Sequence, residues 1–178
     1  MKILNTKFNG LKILKDTNYY DPRGYFREIL KKNYFSKKKF IFWCMSKSKR
    51  NVLRGLHLQT KFPQDKLVSV IKGKIFDVVV DLRKKSKTFG KSFSIVLSEN
   101  NCKSLYIPEG FAHAYYSFSK INVIYYKLSN YYLPECQDGI LWNDKILKFK
   151  WPSKNPIISP KDKKLRTFAD FKTVYKGL

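Results

Sequence analysis

The segment Leu67–Leu82 reads LVSVIKGKIFDVVVDL and predicts two β-strands joined by a tight turn. Leu67–Ile71 and Ile75–Leu82 are short apolar runs rich in β-branched residues, which is typical of strands. Lys72-Gly73-Lys74 between them has the composition of a turn. This part of the chain therefore indicates a mainly β protein.

Similar short runs continue along the chain and are separated by turn residues such as Pro108-Glu109-Gly110. Many short strands at this spacing predict a jelly-roll β-sandwich or barrel. Helical pattern is scarce, and we expect only a few short helices, at Tyr25–Tyr34 and in part of the C-terminal segment. There is no βαβ alternation and no glycine-rich nucleotide motif, which argues against a Rossmann fold. Further strands are expected at 93–97, 104–107, 113–118 and 122–128.

The chain has 178 residues, 43% of them hydrophobic, which fits one packed domain. We expect a single domain over residues 1–178, with a core from about 20 to 150 and a tail, 151–178, that wraps it. No run of about 18 apolar residues is present, so we expect no membrane span. Met1–Gly10 lacks the apolar run of a signal peptide. The three cysteines form no CxxC pair, which favours a reduced, cytoplasmic protein.

The formal net charge is +24, which by itself suggests a nucleic-acid partner. The lysines, however, are spread over the whole chain, and Asn, Ile and Tyr are also abundant, as an AT-rich genome would produce. We therefore expect no nucleic-acid partner. The charge still favours an anionic ligand over a cationic one.

The chain contains two histidines, and both lie among polar residues in predicted strands. In Leu53–Gln59 (LRGLHLQ), alternation places His57 and Gln59 on one face and Arg54 on the other. Metal cupins supply two histidines one residue apart, but here Gln59 occupies the second position, so we expect no metal. A histidine without a metal suits general-base work near neutral pH.

Taken together, these segments resemble the dTDP-4-dehydrorhamnose 3,5-epimerase family. The combination of LRGLHxQ at Leu53–Gln59 with PxGFAH at Pro108–His113 is specific, and the matching segments occur in family order over nearly the whole chain. The resemblance implies a cupin-type jelly roll, a homodimer and no cofactor. It implies a nucleoside-diphosphate 4-keto-6-deoxy sugar, most simply dTDP-linked, as substrate, and a setting in O-antigen or capsule synthesis. The matching segments are Asp21–Glu28, Val52–Gln59, Pro63–Val68, Phe76–Arg83, Ile107–His113, Tyr126–Pro134 and Trp142–Asp144.

The resemblance also implies roles for individual residues. His57 matches the base that removes a proton next to the ketone, and Asp162 matches the carboxylate that pairs with it. Lys66 matches the cation that holds the enolate, and Tyr126 matches the acid that returns a proton from the other side. The positions that match substrate contacts are Arg23, Phe26, Glu28, Arg54, Gln59, His113 and Tyr132.

The chain departs from the family pattern in the strand before His57. The family has a Gln-x-Asn-x-Ser pattern there, and alignment on Ser46 places Phe42 and Cys44 at the two amide positions. The change removes hydrogen-bonding groups and makes the wall more apolar. It leaves open which sugar and nucleotide are preferred and whether C3, C5 or both centres are inverted.

Three alternatives to a 3,5-epimerase remain. The first is an epimerase of one centre only, or one that acts on another nucleotide-linked 4-keto sugar. The second is a cupin 3,4-ketoisomerase, although those relatives keep two histidines near one strand. The third is a carbohydrate- or nucleic-acid-binding cupin without activity, for which the four acid–base residues would have no use.

Overall fold

The computed structural model describes residues 1–35 and 39–176, and thirteen strands, three 3-10 helices and one α-helix lie within those ranges. The 3-10 helices are Lys32–Phe35, Pro134–Cys136 and Asp162–Lys164, and α1 is Phe168–Tyr175. The strands are β1 Lys2–Asn5, β2 Lys12–Lys15, β3 Tyr19–Asp21, β4 Gly24–Phe26, β5 Phe42–Lys49, β6 Leu53–Gln59, β7 Lys66–Lys72, β8 Lys74–Asp81, β9 Ser92–Ser98, β10 Lys103–Ile107, β11 Phe111–Ser117, β12 Ile121–Leu128 and β13 Gln137–Gly139.

Two antiparallel sheets form the body of the protein. In the described residues, the larger sheet has the order β1-β2-β10-β7-β12-β5 and the smaller has the order β13-β6-β11-β8-β9. The hairpin β3–β4 stands apart from both. The inner faces of the two sheets share one apolar cluster, in which Val68 and Ile124 of the larger sheet join Val79 and Tyr115 of the smaller. The predicted β-sandwich is confirmed.

Both ends of the chain contribute to the buried core. Phe168 and Phe171 of α1 are buried against Leu56 and Val78 on the outside of the smaller sheet. Phe8 and Leu11, next to β1 and β2, belong to the central cluster between the sheets. Buried core therefore extends at both ends beyond the expected range of 20–150. The assignment of one domain over residues 1–178 stays a prediction.

The helix expected over Tyr25–Tyr34 is wrong for most of its length. Its first residues belong to the hairpin β3–β4, in which Tyr19 pairs with Phe26 and Asp21 with Gly24. Gly24 has a φ of +135°, a conformation that side-chain-bearing residues rarely adopt, so the chain reverses there instead of entering a helix. The 3-10 helix Lys32–Phe35 is the helical part. The C-terminal helix is confirmed as α1.

Within the described ranges, no helix has the length and apolar character required to cross a membrane.

Candidate active site

A cavity of about 670 Å³ opens between the two sheets, a size suited to a small-molecule ligand. The smaller sheet contributes β6 and β11, and the larger sheet contributes β5, β7 and β12. The tail closes one side, because residues 157–159 and Asp162 also line the cavity. Its lining includes eight of the eleven predicted site residues: Arg54, His57, Gln59, Lys66, His113, Tyr126, Tyr132 and Asp162.

The imidazole of His57 is paired with the carboxylate of Asp162, as the resemblance implies. His57 Nε2 lies 2.8 Å from Asp162 Oδ1, and the backbone N–H of Gly55 donates to Oδ2 at 3.0 Å. Burial raises the pKa of Asp162, but the hydrogen bonds from His57 and Gly55 outweigh it and lower the pKa below its usual value. The ionised carboxylate holds a proton on Nε2 and leaves Nδ1 as the basic nitrogen.

Arg54 lies on the cavity side of β6, so the face assigned to it by simple alternation is wrong. His57 pairs with His113 while Arg54 pairs with Tyr115, so β6 has one residue more than β11 over this stretch. Such a bulge reverses the alternation, and Arg54 and His57 both reach the cavity. Gly55 in the bulge has a φ of +107°, and a Cβ there would overlap the His113 carbonyl oxygen.

A second histidine–aspartate pair lies beside the first, on β11 and β8. His113 Nε2 lies 2.8 Å from Asp77 Oδ2, and both side chains are buried. In the described structure, Asp77 Oδ1 has no hydrogen-bond partner. Burial raises the pKa of Asp77, and the contact with His113 opposes this only in part. His113 lines the cavity, as predicted for a residue of the sugar pocket.

The cavity cation, Lys66, begins β7 in the facing sheet. Its ammonium lies 3.5 Å from the carbonyl oxygen of His57. Burial lowers the pKa of Lys66 to about 8, while Cys44 and Asp77 act in the opposite direction. An ammonium with so few surrounding charges is available to interact with a negative oxygen on a ligand.

Tyr126 on β12 lines the same cavity as His57. Burial raises the pKa of Tyr126 well above its usual value, and the hydrogen bond with Ser46 opposes the rise. Its phenol oxygen lies 3.3 Å from Ser46 Oγ on β5. The phenol is therefore protonated at neutral pH. It lies on the sheet opposite to the one that carries His57.

Gln59 and Tyr132 both line the cavity, but Gln59 also has a local role. Its Nε2 donates to the carbonyl oxygens of Phe62 and Tyr131, and its Oε1 accepts from the N–H of Leu133. The amide therefore fixes the loop that carries Tyr132. The predicted ligand contacts of both residues stay predictions.

Arg23, Phe26 and Glu28 do not join the other predicted site residues in the cavity formed by the described parts of one chain. Arg23 is 89% exposed and pairs with Asp21 at 2.6 Å. Phe26 is 67% exposed at the end of β4. Glu28 pairs with Lys31 at 2.9 Å. In a single chain Arg23 and Phe26 are thus exposed and Glu28 is half-buried, and none of the three lines the cavity.

Phe42 and Cys44, which replace the family amides, are part of the cavity wall as the alignment predicts. Burial raises the pKa of the Cys44 thiol, although Lys66 opposes the rise, so the thiol is protonated and acts as a small apolar group. In the described ranges, no three His, Cys, Asp or Glu side chains lie close enough together to hold a metal ion.

Tyr115, which also lines the cavity, and Ser48 were not among the predicted site residues, and both are connected to Tyr126 through Ser46. Tyr115 OH contacts Ser46 Oγ at 3.0 Å and Ser48 Oγ at 2.9 Å. Even-numbered residues of β5 point inward, so the spacing of Ser46 and Ser48 could have placed both beside Phe42 and Cys44.

Known proteins match this chain in sequence and in fold. The dTDP-4-dehydrorhamnose 3,5-epimerase family matches residues 5–170. The chain belongs to this family. An epimerase of that name from Escherichia coli K12 is 40% identical over 177 residues, which cover 96% of each chain. One from Neisseria gonorrhoeae is 40% identical over 174 residues, or 95% of this chain, which spans about half (53%) of that protein's length.

A solved structure agrees with the sequence comparison. The chain matches the dTDP-6-deoxy-D-glucose-3,5-epimerase of Legionella pneumophila, determined in complex with dTDP-4-keto-L-rhamnose, with a TM-score of 0.92 and 36% identity. The match covers 98% of this chain and 96% of that one. The predicted cupin fold and the predicted epimerase class are confirmed, and the protein is an isomerase that acts on a nucleotide sugar.

Proposed function

We propose that this epimerase inverts C3 and C5 of a dTDP-linked 4-keto-6-deoxy sugar through enolates, with His57 as base and Tyr126 as acid. The main observation in support of this proposal is that the acid–base groups are divided between the two sheets. The smaller sheet presents His57, which is paired with Asp162 of the tail, and the larger sheet presents Tyr126 and Lys66 to the same cavity. Inversion requires that a proton leaves one face of the sugar and another arrives on the opposite face.

Proton removal is assigned to His57 Nδ1. The hydrogen bond from Nε2 to Asp162 fixes the tautomer and orients the ring. When the ring becomes cationic, the carboxylate stabilises it, as the aspartate does in serine protease triads. His57 is 25% exposed, so its proton can exchange with solvent.

The electron pair of the broken C–H bond moves to the ketone oxygen at C4. Lys66 is assigned to that oxygen, because its buried ammonium gains most when a negative charge develops beside it. C3 and C5 are both adjacent to C4, so one cation serves both enolates. Removing and returning a proton leaves the oxidation level of the sugar unchanged, so the reaction requires no redox cofactor.

Proton return is assigned to the phenol of Tyr126, which comes from the facing sheet. Its O–H bond breaks as the new C–H bond forms, and the tyrosinate then regains a proton that derives from solvent. Its raised pKa keeps the proton in place until a strong base, the enolate carbon, is presented.

Two further cavity residues, Arg54 and Tyr132, are assigned to the nucleotide. The guanidinium of Arg54 suits the diphosphate, since it can hold two phosphate oxygens at once. Tyr132, held by the loop that Gln59 fixes, is assigned to the base. The dTDP-linked ligand of the Legionella relative supports a thymine nucleotide here.

We further propose that the working unit is a homodimer in which the hairpin β3–β4 of each copy reaches the cavity of the other. Three observations support this proposal. Arg23 and Phe26 are exposed on a hairpin outside both sheets, β5 ends the larger sheet, and Trp43 and Met45 on its outer face are 58% and 76% exposed. Exposed apolar side chains next to a strand edge favour association.

Mixing two inactive variants tests the dimer. In a mixed dimer of Arg23→Ala with His57→Ala, one cavity would have His57 from the first chain and Arg23 from the second. We expect the mixture, after dissociation and reassociation, to exceed both parents in activity at substrate concentrations below KM. Activity no greater than the average of the two parents would contradict the shared site.

The chemistry is tested with dTDP-4-keto-6-deoxyglucose in D2O, with NMR used to follow deuterium at C3 and C5. We expect deuterium at both positions with the native protein and none with His57→Ala. Exchange at one position would make the protein a single-centre epimerase and would implicate Phe42 and Cys44. If no exchange occurs with this substrate or its GDP-linked counterpart, the proposal fails.

The further proposals are that the enzyme works in the cytoplasm and that its product enters a surface polysaccharide.

A further inference from the structure

A continuous chain of hydroxyl groups leads from Tyr126 to Arg54 through the interior of the sandwich. Tyr126 OH contacts Ser46 Oγ at 3.3 Å, and Ser46 Oγ contacts Tyr115 OH at 3.0 Å. Tyr115 OH contacts Ser48 Oγ at 2.9 Å, and Arg54 Nε donates to Ser48 Oγ at 3.0 Å. Both ends of the chain, Tyr126 and Arg54, line the cavity.

A hydroxyl chain by itself has no direction, because each hydroxyl can donate its one proton to the neighbour on either side. Arg54 removes that symmetry, since a guanidinium only donates. Ser48 Oγ accepts from Arg54, and among the described residues Tyr115 OH is the acceptor within reach of the buried Ser48 proton, so Ser48 donates to Tyr115 OH. Tyr115 then donates to Ser46, and Ser46 donates to Tyr126.

We infer that Ser48, Tyr115 and Ser46 are positioning residues that point the Tyr126 proton at the substrate. With Ser46 as donor, the Tyr126 oxygen accepts at its rear, and its own O–H is directed to the cavity. The same hydrogen bond stabilises the tyrosinate that remains after the proton has been transferred. This inference rests on the proposed function, in which Tyr126 is the acid.

The chain also connects substrate binding to the acid. Arg54 is the residue assigned to the diphosphate, and its Nε is the donor that sets the direction of the chain. A diphosphate that holds the guanidinium in place would keep Nε on Ser48. Binding of the nucleotide end would then order the proton that is used at the sugar end.

Tyr115→Phe breaks the chain at its centre and leaves the ring in place. Ser46 then has no donor behind it and is free to accept from Tyr126, which turns the acidic proton away from the sugar. Loss of one such hydrogen bond corresponds to a fall of up to about tenfold in the rate of inversion at C5. Proton removal by His57 is unaffected, so deuterium exchange at C5 in D2O continues, and the ratio of exchange to inversion rises by the same factor.

Tyr116→Phe is the matched control, because it removes the same atom from the next residue of β11. Tyr116 OH bonds to Asn51 Oδ1 at 3.1 Å, away from the cavity lining. We expect its ratio of exchange to inversion to equal that of the native protein. Thermal unfolding of both variants shows whether either change is merely destabilising.

Ser48→Ala supplies a second test, since it separates Arg54 from Tyr115. It should raise the ratio in the same direction, and adding it to Tyr115→Phe should have no further effect, because the chain is already broken. An unchanged ratio in Tyr115→Phe, or equal losses of exchange and inversion, would overturn the inference. If the native protein shows no exchange, the proposed function itself fails, which is a separate result.

Discussion

The smaller sheet carries two histidines on neighbouring strands, and in each histidine–aspartate pair Nε2 lies 2.8 Å from the carboxylate. His57 on β6 and His113 on β11 lie directly opposite each other in the pairing of these two strands. Their surroundings differ. Asp162 accepts a second hydrogen bond from Gly55 and has a lowered pKa, whereas Asp77 is fully buried, has one oxygen without a partner among the described residues and has a raised pKa. Equal distances therefore do not mean equal chemistry.

This difference determines which of the two histidines can act as a base. Asp162 is anionic at neutral pH, so it can stabilise a cationic His57, which is also 25% exposed in the cavity. His113 is only 7% exposed, and its partner carboxylate resists ionisation. We therefore assign proton removal to His57 and pocket shape and polarity to His113.

The largest expected effect separates the two imidazoles. His57→Ala removes the base and should lower kcat by about 1,000-fold, within the range attributed to general acid–base catalysis. His113→Ala leaves the base in place and should lower kcat by about tenfold at most through a looser pocket. Steady-state kinetics on both variants measures the contrast, and equal losses would remove the distinction between the pairs.

The two carboxylates give the next contrast. Asp162→Asn puts an amide N–H beside His57 Nε2, favours the wrong tautomer and should lower kcat by about 100-fold with little change in KM. Asp77→Asn still offers His113 an acceptor and should cost less than about tenfold. A larger loss in Asp77→Asn than in Asp162→Asn would show that the assignment is reversed.

The pH dependence of activity tests the role of Lys66, the cation in the sheet that faces both histidine–aspartate pairs. The pKa of Lys66 is lowered to about 8, so its charge is present below that pH and is lost above it. We expect kcat/KM to fall as the pH rises through about 8. Tyr126 has a raised pKa and so cannot cause this fall. Lys66→Arg, which stays charged, should show no alkaline fall, although its maximum is lower. A fall that persists in Lys66→Arg would assign it to another group.

Stability should depend on pH in opposite ways for the two carboxylates. The pKa of Asp162 is lowered on folding, so its stabilisation is present above the unfolded pKa and is lost as the pH falls through the folded value. The pKa of Asp77 is raised, so its ionisation destabilises the fold as the pH rises from the unfolded toward the folded value. Asp162→Asn should therefore cost about 1–2 kcal/mol at pH 7 and less near pH 3, while Asp77→Asn should cost under about 1 kcal/mol at pH 7. Thermal unfolding at both pH values decides this, and equal costs at pH 7 would contradict it.

The smallest effect is expected from changes to Phe42 and Cys44, which form the apolar part of the cavity wall. Phe42→Gln and Cys44→Asn restore the amides of the family pattern and should change KM by a few-fold, about 1 kcal/mol or less, with kcat nearly unchanged. A large change in kcat would show that the wall positions the reacting carbons. The ratio of inversion at C3 to inversion at C5 is the most informative measurement on these variants.

The strands and most of the site could be predicted from the sequence because their signals are local. Leu67–Leu82 predicts β7 and β8 closely, and the LRGLHxQ and PxGFAH segments place His57 and His113 correctly. Alternation sends one of Tyr125 and Tyr126 inward, and the spacing to Tyr132 in the family pattern selects Tyr126. The pairing of His57 with Asp162 joins residues 105 positions apart and could be expected only from the family pattern.

What the sequence could not provide depends on backbone irregularity and on distant contacts. The bulge at Gly55 reverses the alternation that placed Arg54 on the wrong face. Residues 25–34 were expected to be helical. The hairpin β3–β4 depends on strand pairing across a turn, which the spacing of apolar residues does not reveal. The hydroxyl chain behind Tyr126 joins three strands from both sheets, and each residue in it is unremarkable alone.

The central claim is that proton removal and proton return come from opposite sheets, and Tyr126→Phe tests it most directly. The variant and the native protein are incubated with dTDP-4-keto-6-deoxyglucose in D2O, and NMR follows deuterium and configuration at C5. The account predicts that Tyr126→Phe retains exchange, because His57 is intact, and loses inversion by about 100-fold or more. Inversion at the native rate, or loss of exchange together with inversion, would contradict it.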